Sequence, residues 1–204
     1  MRTGPSAREK LLDAATTLIR RDGFAATSVD DLCGRAGVTK GAFFHHFADK
    51  RALGVAAATY WHDITAPMFA AAPYHRPRDP LARILAYLDF RKELLRGELA
   101  EYTCLVGTLA QEVHNSHPDI RDACGAAIAA HAEILAKDFR AAMKLRKAPA
   151  GVTAESLALH TQVVLQGAFV LAKARNDVKV ARDAIDHLKR YIRAIFKEKK
   201  ECPQ

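Results

Sequence analysis

The segment Thr39-Lys40-Gly41-Ala42-Phe43-Phe44-His45-His46-Phe47 brings a cation, a hydroxyl, two imidazoles and two small residues within reach of one surface. On a helix, Phe43 and Phe47 lie one turn apart. If they point inward, Thr39, Lys40, Gly41, Phe44, His45 and His46 lie largely outward. Lys40 can then donate to guanine O6 and N7, while Thr39, the histidines and a helix N-terminus suit phosphate oxygens. Gly41 and Ala42 are small enough to let such a helix lie close to base edges. Lys50, expected in the first turn of the next helix, adds a cation for a phosphate beside that helix's free amides. This is the chemistry of non-covalent DNA recognition.

Two short helices must hold these groups. Thr27-Ser28-Val29-Asp30-Asp31 has the S/T-x-x-D form of a helix start, and Gly37 ends that helix. A second short helix is expected from Thr39 to Phe47, with Asp49 capping a third element. Val29, Leu32, Cys33, Ala36, Val38, Phe43 and Phe47 can form one small core around the turn Arg35-Ala36-Gly37-Val38. Two helices fixed steeply by a tight turn make a helix-turn-helix, whose second helix enters the major groove. Charge alone would not carry this reading, since residues 1–51 hold nine Lys or Arg against six Asp or Glu. Asp30 is out of place here, because DNA would repel it unless it serves as a cap.

Across residues 8–54 the chain resembles the TetR family. The turn Ala-Gly-Val, the following Thr-Lys-Gly, the run Phe-Phe-His-His-Phe and the opening Asp-Lys-Arg-Ala-Leu stand where that family has them. The resemblance implies a DNA-binding domain over 1–50 and an effector-binding and dimerisation domain over 51–204. It also implies that Thr39, Lys40, Gly41, Ala42, Phe44, His45 and His46 face DNA, with Ser28 and Lys50 at phosphates. Family members commonly carry Tyr where this chain has Phe44. Phe44 lacks the phosphate-binding hydroxyl and is left to meet a thymine methyl or to pack.

The rest reads as helix. The first helix should run from Ala7 to Arg21, and Gly23 closes it. Pro67, Pro73, Pro77 and Pro80 are expected to interrupt regular structure between Ala66 and Pro80. Helices follow over 80–96, 98–115, 118–146, 154–175 and 178–199, with a loop at Lys147-Ala148-Pro149-Ala150-Gly151 and a basic tail at Lys197, Lys199 and Lys200. The helix 154–175 is apolar on nearly all sides, which calls for burial on both faces. The last helix carries the stripe Ala181, Ile185, Leu188, Ile192, Ile195, with Phe196 beside it. These two helices are expected to form half of a four-helix bundle between two copies of the chain, as the resemblance also implies.

A pocket for a small, largely apolar effector is expected among the middle helices. Its candidate lining is Trp61, Tyr87, Phe90, Tyr102, Cys104, Thr108, Glu112, His131 and Phe169. His114 and His117 straddle an expected helix end, so no metal site is read there, and no cofactor is implied. The sequence lacks HExxH, GxSxG and a phosphate-cradling glycine loop, which argues against an enzyme.

The whole is an all-α chain of 204 residues, half of them hydrophobic and 7% aromatic, with a net charge of +8. That charge suits a polyanion, though a membrane surface would answer it too. No apolar run is read as a membrane span, no secretory signal is seen, and Cys33, Cys104, Cys124 and Cys202 form no CxxC pair. A reduced, cytoplasmic setting is the expectation, with double-stranded operator DNA and a second copy of the chain as partners. A ligand- or redox-sensing module with a secondary DNA role, and an architectural DNA binder without an effector, remain open beside the repressor.

Overall fold

Side-chain caps set most of the helix starts. In the computed structural model, which describes residues 4–146 and 150–197, Ser6 opens α1 (Ala7–Asp22) in a capping box with Glu9. Ser28 opens α2 (Val29–Ala36) in a capping box with Asp31. Thr39 caps α3 (Lys40–His46), and Asp49 accepts from Ala52 N at 2.7 Å to start α4 (Lys50–Ala70). Such caps satisfy amides that lack intrahelical partners. Gly37 takes the left-handed conformation (φ 63°) that closes α2 and turns the chain into α3.

Beyond these come a 3-10 turn at Pro73–His75, then α5 (Pro80–Glu93), α6 (Leu99–Tyr102), α7 (Leu105–Val113), α8 (Pro118–Leu145), α9 (Ala154–Arg175) and α10 (Val178–Ile195). The described residues are all-helical. Lys147, Ala148 and Pro149 of the expected loop lie outside the described residues, as do Lys199, Lys200 and Cys202.

Two expectations about helix boundaries are corrected. Regular structure does not stop at Ala66, because α4 continues through Pro67 to Ala70. Proline removes one intrahelical hydrogen bond, and so close to the helix end that loss does not unravel what precedes it. The helix expected over 98–115 is instead broken at Thr103-Cys104, where the backbone is extended. Arg20 explains how the break is tolerated. Its guanidinium donates to the carbonyls of Glu101 (2.8 Å) and Thr103 (3.5 Å), groups that a continuous helix would have bonded itself.

The chain divides into two compact units, residues 1–69 with 98–128, and residues 70–97 with 129–204. In the first unit, Leu11, Leu18, Phe24, Leu32, Phe43 and Leu53 share one core with Leu105, Leu109, Val113, Ile120 and Cys124. Gly54 lets α4 approach closely, since a Cβ there would sit 2.8 Å from Ile120 Cδ1 and 3.0 Å from Phe24 Cε2.

In the second unit the α10 stripe Ala181, Ile185, Leu188 and Ile192 is buried within the protomer. Phe196 stacks with Phe139 at 6.5 Å. That stripe is therefore core rather than the expected face between copies. On α9, Leu157, Leu165 and Phe169 are buried, whereas Leu159 (55%), Val163 (60%) and Leu171 (56%) stand in solvent. By length and composition α9 is apolar enough to cross a membrane, contrary to the sequence reading, and 44% of its most apolar stretch is buried in the protein.

Candidate nucleic-acid interface

The amphipathic division of α3 follows from its aromatic spacing. Phe43 is fully buried and Phe47 nearly so, while Phe44 is 57% exposed. The Phe44 ring meets Phe43 edge-on at 5.2 Å, which fixes it without covering it. Thr39, Lys40, Gly41 and His45 are also exposed, and Ala42 and His46 are half-buried. The two imidazoles form an edge-to-face pair at 4.9 Å. Thr39 Oγ1 accepts from Ala42 N at 3.2 Å, so its oxygen is engaged while its O–H remains a donor. The outward face thus offers a cation, a hydroxyl, two imidazoles and one exposed aromatic ring.

Two groups expected at phosphates are employed elsewhere. Ser28 Oγ donates to Asp31 Oδ2 at 2.6 Å and accepts from Asp31 N, so its single O–H is used inside the capping box. The hydrogen bonds from Ser28 Oγ and from Ser28 N (2.9 Å) hold the Asp31 carboxyl below its ordinary value. Lys50 Nζ donates to the carbonyls of Phe24 (2.9 Å), Ala25 (3.3 Å) and Thr27 (3.0 Å), and lies 4.6 Å from the Phe24 ring centroid. An ammonium has three N–H donors, and three carbonyls occupy them. In this conformation both side chains are engaged in the frame that presents α3.

Asp30 takes no part in the α2 cap, which Ser28 and Asp31 complete. Its Oδ1 lies 2.7 Å from Lys40 Nζ, with both side chains well exposed. The hydrogen bond to Asp30 raises the Lys40 pKa and keeps that side chain a cation. This pairing links α2 to the first residue of α3.

The expected effector lining is split between the units. In the first, Arg20 lies 4.8 Å over the Trp61 ring, Tyr102 ends α6, and half-buried Cys104 sits at the N-cap of α7. Thr108 Oγ1 donates to Cys104 O at 3.0 Å. The Glu112 carboxylate accepts from Phe24 N (2.5 Å) and Ala25 N (2.7 Å). It therefore holds the turn between α1 and α2, a role that no local sequence signal announces. In the second unit, Tyr87 Oη meets His131 Nε2 at 2.8 Å, Tyr74 lies against Tyr87 and Phe90, and the Arg91 guanidinium lies 5.7 Å from the Phe169 ring centroid. A shallow groove of about 420 Å³ between α1 and α2 is lined by Lys10, Asp13, Ala14, Thr17, Arg35 and Ala36, none of them an effector candidate. His117 packs edge-on against Phe24 at 5.4 Å.

Residues 11–57 match the bacterial regulatory proteins of the tetR family, and residues 80–187 match the C-terminal domain of LmrA/YxaF-like transcriptional regulators. The transcriptional regulator AcuR of Cereibacter sphaeroides is 26% identical over 167 residues, covering 82% of this chain and 76% of the relative. The crystal structure of a regulatory protein TetR from Rhodobacter sphaeroides superposes with a TM-score of 0.79 at 25% identity, over 93% of this chain and 98% of the other. A TetR transcriptional regulator from Chloroflexus aurantiacus gives a TM-score of 0.78 at 26% identity, over 94% and 96% of the two chains.

Proposed function

The chain belongs to the TetR family of DNA-binding transcriptional regulators, and we propose that it acts as a homodimeric cytoplasmic repressor of a palindromic operator, released by a small effector. The observation that carries the dimer is the exposed apolar face of α9, where Leu159, Val163, Val170 and Leu171 stand in solvent beside exposed Tyr191 of α10. A contiguous apolar face of this kind marks an interaction surface. A second copy of the same face is its simplest complement, because twofold interfaces are self-complementary. Two copies of α3 then meet two half-sites related by the same symmetry.

On the DNA, Lys40 takes guanine, exposed Phe44 a thymine methyl, and Thr39, His45 and His46 the remaining base edges and phosphates, with Gly41 and Ala42 permitting close approach. The effector is small and largely apolar with one or two polar groups. It binds among half-buried residues of the first unit such as Trp61, Tyr102 and Cys104. Release follows from its differential affinity for the non-binding shape. The route is short: the turn that leads into α2 and α3 is held by α4 through Lys50 and by α7 through Glu112, so a shift of either helix displaces the recognition helix.

Binding-site selection from a randomised duplex pool, with sedimentation of Val163→Arg, tests this reading. The expected result is one palindrome for the wild type, and for Val163→Arg a folded monomer with operator affinity largely lost. A non-palindromic consensus, or a Val163→Arg dimer of undiminished affinity, would overturn it.

A further inference from the structure

The pairing of Asp30 with Lys40 places a carboxylate on the face that meets a polyanion. Helix capping does not account for it, because Ser28 and Asp31 complete the α2 cap without Asp30. Fold stability does not account for it either, since an ion pair with side-chain exposures of 67% and 60% contributes little in water. Beside the favourable charge it adds to the first turn of α2, its consequence lies in what it does to Lys40.

Lys40 is the first residue of α3, the end of a recognition helix that reaches base edges. Its ammonium has three N–H donors on a flexible stem. One donor is taken by Asp30 Oδ1 at 2.7 Å. Two remain, and guanine presents two acceptors in the major groove, O6 and N7, whereas adenine presents one acceptor beside a donor. An unpaired lysine would equally serve any phosphate, which carries no sequence information. With Asp30 attached, approach to a phosphate brings two anions together, while approach to guanine does not.

We infer that Asp30 is a specificity-determining positioning residue: it holds the Lys40 ammonium for guanine and suppresses its use as a sequence-independent phosphate anchor. The inference rests on the base-reading role proposed above for Lys40, and the test separates the two.

The dimer of the 204-residue chain and the variants Asp30→Asn, Asp30→Glu, Lys40→Ala and Asp30→Asn/Lys40→Ala are titrated against the selected operator. Each is also titrated against its three single-base variants at the position that Lys40→Ala relaxes, and against a random duplex over a range of salt. For Asp30→Asn, guanine preference at that position should fall by up to about fivefold, the span an exposed ion pair can supply. Binding to random duplex should tighten, and its salt dependence should steepen by up to about one phosphate contact. Asp30→Glu should retain most of the preference, and the preference change should vanish in the Lys40→Ala background.

An Asp30→Asn preference equal to wild type overturns the inference. So does the same change persisting without Lys40, which would make Asp30 a plain repulsive charge. A lowered thermal midpoint with no change in base selection would reduce Asp30 to a favourable charge at the α2 N-terminus and also overturns it. If Lys40→Ala relaxes no position, the base-reading premise itself fails, and the inference with it.

Discussion

The ammonium of Lys50 and the carboxylate of Glu112 grip the same turn through opposite backbone groups. Lys50 takes the carbonyls of Phe24, Ala25 and Thr27, and Glu112 takes the N–H groups of Phe24 and Ala25. The turn joins α1 to α2, so the angle at which α2 and α3 leave α1 is set by side chains from α4 and α7. Neither helix belongs to the helix-turn-helix itself.

Glu112→Ala should weaken operator binding without touching DNA. Two amides lose a charged acceptor, which costs about 1–3 kcal/mol of stability, with the lower end expected at a site open to water. Glu112→Gln keeps one carbonyl acceptor and should cost less. Urea unfolding and operator titration of both variants check this, and equal behaviour of Ala and Gln would contradict it.

Lys50→Gln distinguishes a frame residue from a phosphate contact. Loss of a phosphate contact flattens the salt dependence of log K by about 0.9 per contact. Because the three donors of Lys50 serve carbonyls, the slope should stay at its wild-type value while the thermal midpoint falls. A flattened slope with unchanged stability would return Lys50 to the phosphates.

Phe44→Ala should leave the fold nearly untouched, since the ring is 57% exposed and exposed positions usually change stability by less than about 0.5 kcal/mol. Operator affinity should fall, and the loss should shrink where one thymine is replaced by uracil, which lacks the methyl. A loss identical on every uracil-substituted operator would exclude the methyl contact.

Stability should show an acid dependence traceable to Asp79, which caps α5 through Ala82 N (3.1 Å) and pairs with Arg146 through both oxygens. Burial pushes this carboxyl up, but Arg146 and the Ala82 and Leu81 amides outweigh it and hold it below its usual value. A carboxyl depressed in the folded state stabilises above its unfolded pKa of about 4, and that contribution is lost as pH falls through the folded value. The stability gap between wild type and Asp79→Asn should therefore be constant near neutrality and close below about pH 4. A gap that does not change with acid would contradict the assignment.

Thiol labelling should follow burial. The Cys124 thiol is pushed up to about 12 by burial, that of Cys33 is raised mainly by burial, and Cys104 is only half-buried at the start of α7. In a Cys202→Ser background, N-ethylmaleimide near neutral pH should react first at Cys104. Modification of Cys124 in the native protein would contradict the packing around it.

The sequence by itself determined most of the elements and which side of α3 is exposed. Caps and breakers at Ser28, Gly37, Thr39 and Asp49 act within a few residues of themselves, and the Phe43/Phe47 spacing fixes which side of α3 is buried, so local pattern suffices. What only the tertiary structure decided are the partners of side chains far apart in the chain. Glu112 and Lys50 meet the Phe24 turn across 88 and 26 residues, and Arg20 meets Thr103 across 83. The same distance effect turned the α10 stripe inward and left α9 with an exposed apolar face. An apolar stripe records that a face is covered, not whether the cover comes from its own chain or another, and a charged side chain records its reach but not its partner. Long-range packing alone supplies both answers, which is why the exposed face of α3 was legible and the frame that holds it was not.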